Sequence, residues 1–285
     1  MITILTPTYN RCDLLSQIYQ SLCQQTSPDF EWVIVDDGSQ DGTGDVVDGM
    51  LEAANFPLHY FYKENGGKHT ALNFGVRKAK GELVLILDSD DQLPPNAVEN
   101  IEKAYAEVRG DEAFAGVCGY MAHRDGQVIG SPVIDSDINT MDLRYQLGVG
   151  GDMAEVFRKD ILLKYPFPEI KGERFCPEVL VWNRIAQNYK MRVFSKVIYF
   201  RDYLDGGLTS NIVRIRMKSP VASMMTYQEI TTYNVPFKVK VRAAINYWRF
   251  WCCCTQASYP RIHSRWLWAL PIGVGMHWVD LIQNR

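Results

Sequence analysis

The sequence predicts an α/β protein: a mostly parallel sheet with helices on both faces, followed by a helical extension. Three observations predict this. Short unbroken apolar runs alternate with amphipathic segments through the first part of the chain, the pattern of strands buried on both sides. Acidic or glycine-rich clusters follow directly on those runs, where ligands bind in open α/β sheets. From residue 216 onward the composition changes and reads mostly as helix.

Ile2 to Thr6 is the first strand, stopped by Pro7, and Asn10 with Asp13 three residues on resembles a capping box. The helix that follows buries Leu14, Leu15, Ile18 and Leu22, at helical spacing. Trp32 to Val35 is the second strand, Val46, Val47, Met50 and Leu51 mark a helix, and Leu58 to Tyr62 is the third strand. A Gly-Gly turn leads into a helix through Ala71, Leu72 and Val76, then the strand Leu83 to Leu87, with Pro95 in the first turn of the next helix. Beyond residue 112 the pattern becomes mixed. Phe114 to Met121 is a strand, His123 to Gly126 a hairpin turn, Met153 to Phe157 a strand, Pro177 to Gln187 a helix and Met191 to Phe200 an alternating strand.

With 285 residues the chain can bury a full core as one large domain, or one domain and a small appendage. A net charge of -3 argues against a nucleic-acid partner. Seven cysteines, three of them consecutive at Cys252 to Cys254, suit neither a zinc cage nor a disulfide set and favour a reducing compartment. The opening residues lack the basic start and long apolar stretch of a signal peptide.

Two acidic turns carry candidate chemistry. Asp88-Ser89-Asp90-Asp91 packs three carboxylates into four residues, which repel unless a cation or solvent relieves them. Hard oxygen donors suit Mg²⁺ or Mn²⁺, which complete their shell with phosphate and water. The other reading is a solvated turn that caps the next helix. Asp36-Asp37-Gly38-Ser39, with Asp41-Gly42-Thr43, is a good capping sequence, and a carboxylate there can also accept hydrogen bonds from a nucleobase or ribose.

Four motifs in order, Ile-Leu-Thr-Pro-Thr-Tyr-Asn-Arg, Val-Ile-Val-Asp-Asp-Gly-Ser, Asn-Gly-Gly-Lys-His-Thr-Ala-Leu-Asn and Leu-Asp-Ser-Asp-Asp, resemble glycosyltransferase family 2. The resemblance implies a GT-A fold and an inverting transfer from a nucleotide-sugar, UDP-linked most often, to an acceptor hydroxyl. It implies that Thr6, Pro7 and Tyr9 wall the nucleotide, that Asp37 reads the base, and that Lys68 and Asn73 lie near the nucleotide. It also implies that Asp88 approaches the ribose and that Asp90, with Asp91 as neighbour or second ligand, binds Mn²⁺ or Mg²⁺. Family members commonly carry the base carboxylate at the position of Glu178, early in the helix after Pro177. Asp152 is the reserve base or an acceptor-binding residue, and Glu173 a third candidate. Tyr203 to Ser210 resembles the family's flexible loop, or forms a plain turn; His69 could approach phosphate.

Five of the seven tryptophans, Trp248, Trp251, Trp266, Trp268 and Trp278, fall near the end of the chain. No acidic residue lies between Glu229 and Asp280, while Lys238, Lys240, Arg242, Arg249, Arg261 and Arg265 supply positive charge. The segment suits the surface of an anionic membrane, or a helical pair packed on the catalytic domain or on a second subunit as a homodimer. The expectations are thus a catalytic domain over residues 1–215 and a helical extension over 216–285. The protein would be cytoplasmic or held at the inner face of the cell membrane, acting on a glycan or lipid-linked glycan in surface polysaccharide synthesis. A non-catalytic nucleotide-sugar or glycan binder is the rival.

Overall fold

A computed structural model describes residues 1–201 and 211–283. The strands are β1 (Ile2–Thr8), β2 (Phe30–Asp36), β3 (Leu58–Tyr62), β4 (Leu83–Ile86), β5 (Phe114–Ala122), β6 (Ser136–Ile138), β7 (Met153–Arg158) and β8 (Lys190–Phe200). The first helices are α1 (Cys12–Cys23), α2 (Thr43–Ala53), α3 (Lys68–Lys78), α4 (Ala97–Ala106), α5 (Thr140–Tyr145), α6 (Lys159–Lys164) and α7 (Glu178–Ala186). After them come α8 (Ile212–Lys218), α9 (Pro220–Ile230), α10 (Phe237–Trp251), a 3₁₀ turn (Ser264–Ala269) and α11 (Leu270–Gln283).

All eight strands join one sheet in the order β3-β2-β1-β4-β7-β5-β8-β6. β1 to β4 run parallel, β7 is antiparallel to both its neighbours, and β6 is antiparallel to β8. Alternate residues of each central strand feed two cores. Ile4, Trp32, Ile34 and Leu85 pack beneath α1 and α4, while Leu5, Val33, Val35 and Val84 pack against Leu72 and Val76 of α3 and Leu180 of α7.

Two local expectations are corrected. β1 continues through Pro7 to Thr8, because the ladder to β4 ends at Leu5 and Pro7 therefore lacks no partner on that side. Asn10 does not cap α1: it has φ 49° and accepts from Gln40 N–H, while Asp41 accepts the Cys12 N–H from across the neighbouring loop. α4 begins at Ala97, just beyond Pro95.

The boundary expected at residue 215 falls inside α8. α9 is tied to the rest by two carboxylates. Glu173, from the loop before α7, accepts the N–H groups of Val221 and Ala222 at 2.6 and 2.9 Å, and Arg184 of α7 pairs with Glu229 at 2.6 Å.

Candidate active site

β1, β2, β3 and β4 all point their carboxyl ends at one edge of the sheet, and the two acidic turns leave from there. β8 arrives beside them, because Phe200 exchanges main-chain hydrogen bonds with Gln92 just past the second turn.

Oxygen atoms of Asp88, Asp90 and Asp91 lie within 4.8 Å of one another. Arg11 pairs with Asp90 at 2.9 Å, and Lys68 with Asp88 at 2.6 Å. Asp91 is 4% exposed and accepts the Tyr199 hydroxyl at 2.7 Å, while that hydroxyl accepts the Asp88 N–H at 3.0 Å. Burial, then the Asp88 charge, push the Asp91 carboxyl up to about 7 against the opposing pull of Tyr199 and Arg201. Burial acts the same way on Asp88, but Lys68 outweighs it and holds that carboxyl below its ordinary value. The donor set is hard and anionic, and its oxygens lie close together, which fits a divalent cation with oxygen preference.

Lys68 joins this cluster to the second half of the chain. It opens α3, where a positive charge opposes the helix dipole, so its place is not explained by helix stability. Its ammonium pairs with Asp88 on one side and with Glu178 at 2.8 Å on the other. Burial lowers its affinity for a proton, but the two carboxylates prevail and raise it. Glu178 stands at the first position of α7, after Pro177, with its side chain 38% exposed. The candidate base and the acidic turn, 90 residues apart, therefore share one cation.

The first acidic turn is built differently. Asp36 accepts the Ser39 N–H and the Tyr60 hydroxyl, both at 2.7 Å. Asp37 accepts the N–H groups of Gly66 and Gly67 at 3.0 and 2.7 Å and pairs with Lys63 at 2.6 Å. The carboxylate thus fastens the loop before α3 and sets the direction of Lys68. Gly67 is required there: its φ is +97°, and a Cβ would stand 2.0 Å from the Arg174 carbonyl oxygen.

The remaining expected site residues divide sharply. Tyr9 follows the end of β1 and is 48% exposed. Pro7 is buried, and Thr6 is fully buried with its hydroxyl accepting the Trp32 indole N–H at 2.9 Å. The Thr6 side chain supports the wall from beneath and does not line it. Asn73 is also corrected. Its amide donates to Phe167 O and Glu169 and accepts the Phe167 N–H, all within 2.9 Å, so it pins the loop after α6. Glu173 is spent as the clamp on α9 and is no base. His69 is buried, which lowers its pKa. Asp152 pairs with Arg201 at 2.7 Å, and Arg201 also feels Asp91 and Asp88. The loop from Tyr203 to Ser210 lies outside the described residues.

Arg11, Lys63, Tyr199 and Arg201 are site residues that sequence reasoning missed. Two left a signal: Arg11 ends the first of the four motifs, and Tyr199 lies on an inward position of an alternating strand, where a buried hydroxyl needs a partner.

Comparison with solved structures gives the fold independently. S. aureus TarS matches with a TM-score of 0.61 at 20% identity, over 87% of this chain and 43% of that one. TarS residues 1–349 in complex with UDP match with a TM-score of 0.59 at 19% identity, over 88% and 70%. The mannosyltransferase PcManGT from Pyrobaculum calidifontis, in complex with GDP-Man and Mn²⁺, matches with 0.60 at 21% identity, over 96% and 73%. The fold is GT-A. Among curated proteins, a glycosyltransferase of Nostoc sp. is 31% identical over 63% of this chain and 52% of its own length. TuaG of Bacillus subtilis, described as a teichuronic acid biosynthesis glycosyltransferase, is 35% identical over 35% of this chain and 39% of its own. The chain spans about half the length of these relatives or less. The sequence model described as glycosyl transferase family 2 matches residues 3–146, half of the chain. With both acidic turns, nearly all of β1 and the whole of β2 to β5 inside that span, the chain belongs to glycosyl transferase family 2.

Proposed function

We propose that the chain transfers a sugar from a nucleotide-sugar, UDP-linked, to an acceptor hydroxyl with inversion, in the synthesis of a surface polysaccharide. One observation carries the reading: Lys68 bridges Asp88 and Glu178 at 2.6 and 2.8 Å, so donor-side and acceptor-side carboxylates converge on one cation. The UDP-bound neighbour supports the donor class, and the teichuronic acid relative supports the setting.

In this reading the face of Tyr9 stacks on the base, and Asp37 accepts from it with lone pairs left beside its loop contacts. Asp90 and Asp91 would hold Mn²⁺ or Mg²⁺, which would supply Lewis-acid neutralisation of the diphosphate. Lys68 turns from the carboxylates to a phosphate oxygen as the donor arrives, which releases Glu178. A Glu178 oxygen takes the proton of the acceptor hydroxyl while the hydroxyl oxygen attacks the anomeric carbon. The anomeric C–O bond breaks on the opposite face, and its electron pair leaves with the nucleoside diphosphate. Asp152, held by Arg201, orients the acceptor.

The test is release of nucleoside diphosphate from UDP-sugars with Mn²⁺, in wild type and Glu178→Gln. Loss of the base lowers kcat by roughly 10²- to 10⁴-fold with donor binding retained. Equal turnover would remove Glu178 as the base. A wild type that binds donor but turns over on no glycan or lipid-linked acceptor would favour a binding protein.

A further inference from the structure

The last helix has two faces of opposite character. Its inner stripe, Gly273, His277 and Asp280, repeats every three or four residues and packs on α10. A Cβ at Gly273 would meet the Trp248 Cβ at 2.5 Å, so the helices touch there backbone to side chain. Asp280 is buried and accepts two N–H groups from Arg249. The outer stripe, Ile272, Met276, Val279 and Ile282, has the same spacing and lies in solvent, with Trp268 and Trp278 on its flanks. Exposure reaches 62% at Trp278 and 72% at Ile282. Apolar surface this continuous is not kept in water without a use.

The tryptophans separate accordingly. Trp248 and Trp266 are core residues of the helical extension, as a packed helical pair requires, and leave the outer face to the others. Trp266 also carries the edge of the exposed face. Phe237 stacks on it at 5.8 Å, the Arg265 guanidinium lies 5.5 Å from its ring centre, and Trp268 follows at 6.2 Å. Exposed Lys238 is next to Phe237. An apolar face edged by Lys and Arg is the result, and the one carboxylate in the segment, Asp280, is turned inward.

We infer that this face of α11 lies flat on a bilayer containing anionic lipid. The Ile272 stripe enters the acyl boundary, Trp268 and Trp278 sit at headgroup level, and Lys238 and Arg265 meet lipid phosphates. Over the described residues α11 has 14 residues, fewer than the ~20 a bilayer requires. Among the described residues no helix is long and apolar enough to span. A second copy is the weaker occupant. A two-fold contact sets each basic edge against its own copy, with no exposed carboxylate in the segment to pair with it.

The test is sedimentation of the intact chain with vesicles of phosphatidylcholine alone and with added phosphatidylglycerol. Binding is expected to the anionic vesicles, weaker by roughly tenfold on the neutral ones or in about 1 M salt, where the screening length falls to about 3 Å. Ile272→Glu with Ile282→Glu abolishes binding, and an unchanged thermal midpoint shows that these exposed positions leave the fold intact. Lys238→Gln with Arg265→Gln gives the low-affinity behaviour of neutral vesicles. No binding by the intact chain, or equal binding by the Ile272/Ile282 variant, would overturn the inference. So would a solution dimer that the same variant splits without any vesicle binding. Turnover is not read at any point, so failure of the proposed glycosyl transfer leaves this result untouched.

Discussion

The two acidic turns are near twins in sequence and opposites in structure. Asp36 and Asp37 end a strand, are almost fully buried, and have every carboxylate oxygen engaged by the protein's own N–H, O–H or ammonium groups. Asp88, Asp90 and Asp91 end the strand two places across the sheet and crowd together. Burial and mutual repulsion push one of them up to about 7. A carboxylate that is satisfied within the fold contributes stability; a set that is not is poised for an external cation. The difference lies in what surrounds each turn: glycine N–H groups and Lys63 close on the first, while three acids crowd at the second around Tyr199 with Lys68 and Arg11 at its edge.

Asp90→Asn breaks the second turn and gives the largest effect. Diphosphate neutralisation is worth several kcal/mol, so turnover falls by roughly 10³-fold, and the rise in thermal midpoint caused by Mn²⁺ disappears. Stability without metal stays within about 0.5 kcal/mol, because the substitution removes repulsion as well as the Arg11 pair. A variant that kept full metal response would remove Asp90 from the cation site.

Asp37→Ala breaks the first turn, and beside the loss of its proposed contact to the base it acts on folding. It strands the Gly66 and Gly67 N–H groups and leaves Lys63 without its buried partner, a loss of about 3 kcal/mol. Thermal or urea unfolding measures it. The stabilisation by Mn²⁺ persists in whatever fraction folds. If Asp37→Ala were as stable as wild type, the satisfied turn would not be a structural fastener.

Much of this could be read before the fold was known, and the limit is physical. Leu58–Tyr62 is found to the residue, because a buried strand with local turn signals states its own ends. The short strand Ser136–Ile138 was invisible, since it exists through pairing with β8 and the Arg192–Asp137 ion pair at 2.5 Å. The sequence shows Met153 to Phe157 as a strand, but the insertion of β7 between β4 and β5 depends on contacts remote in sequence. The site divides in the same way. Asp88, Asp90, Lys68 and Glu178 were legible as motif residues, whereas Tyr199 and Arg201 reach the acidic turn only because Phe200 pairs with Gln92. Asn73 and Thr6 were misassigned because an amide or hydroxyl in a motif gives no sign of which way it faces.

The smallest expected effect distinguishes the turns by pH. Asp91 titrates near 3.9 when unfolded and at about 7 in the folded protein, where burial and then Asp88 favour the neutral form. Between about pH 4 and pH 7 the folded state therefore holds a proton that the unfolded state has lost. Metal-free protein is most stable at the acid end of that window and loses stability as pH rises through it, by on the order of 1 kcal/mol per pH unit. A cation competes with that proton, so stabilisation by Mn²⁺ grows as pH rises towards 7 and above. Thermal midpoints of metal-free protein from pH 5 to 8 measure the slope, and Asp91→Asn, which can still accept from Tyr199, should flatten it. An unchanged slope in that variant would mean that the proton is held elsewhere, and that the second turn is as well satisfied as the first.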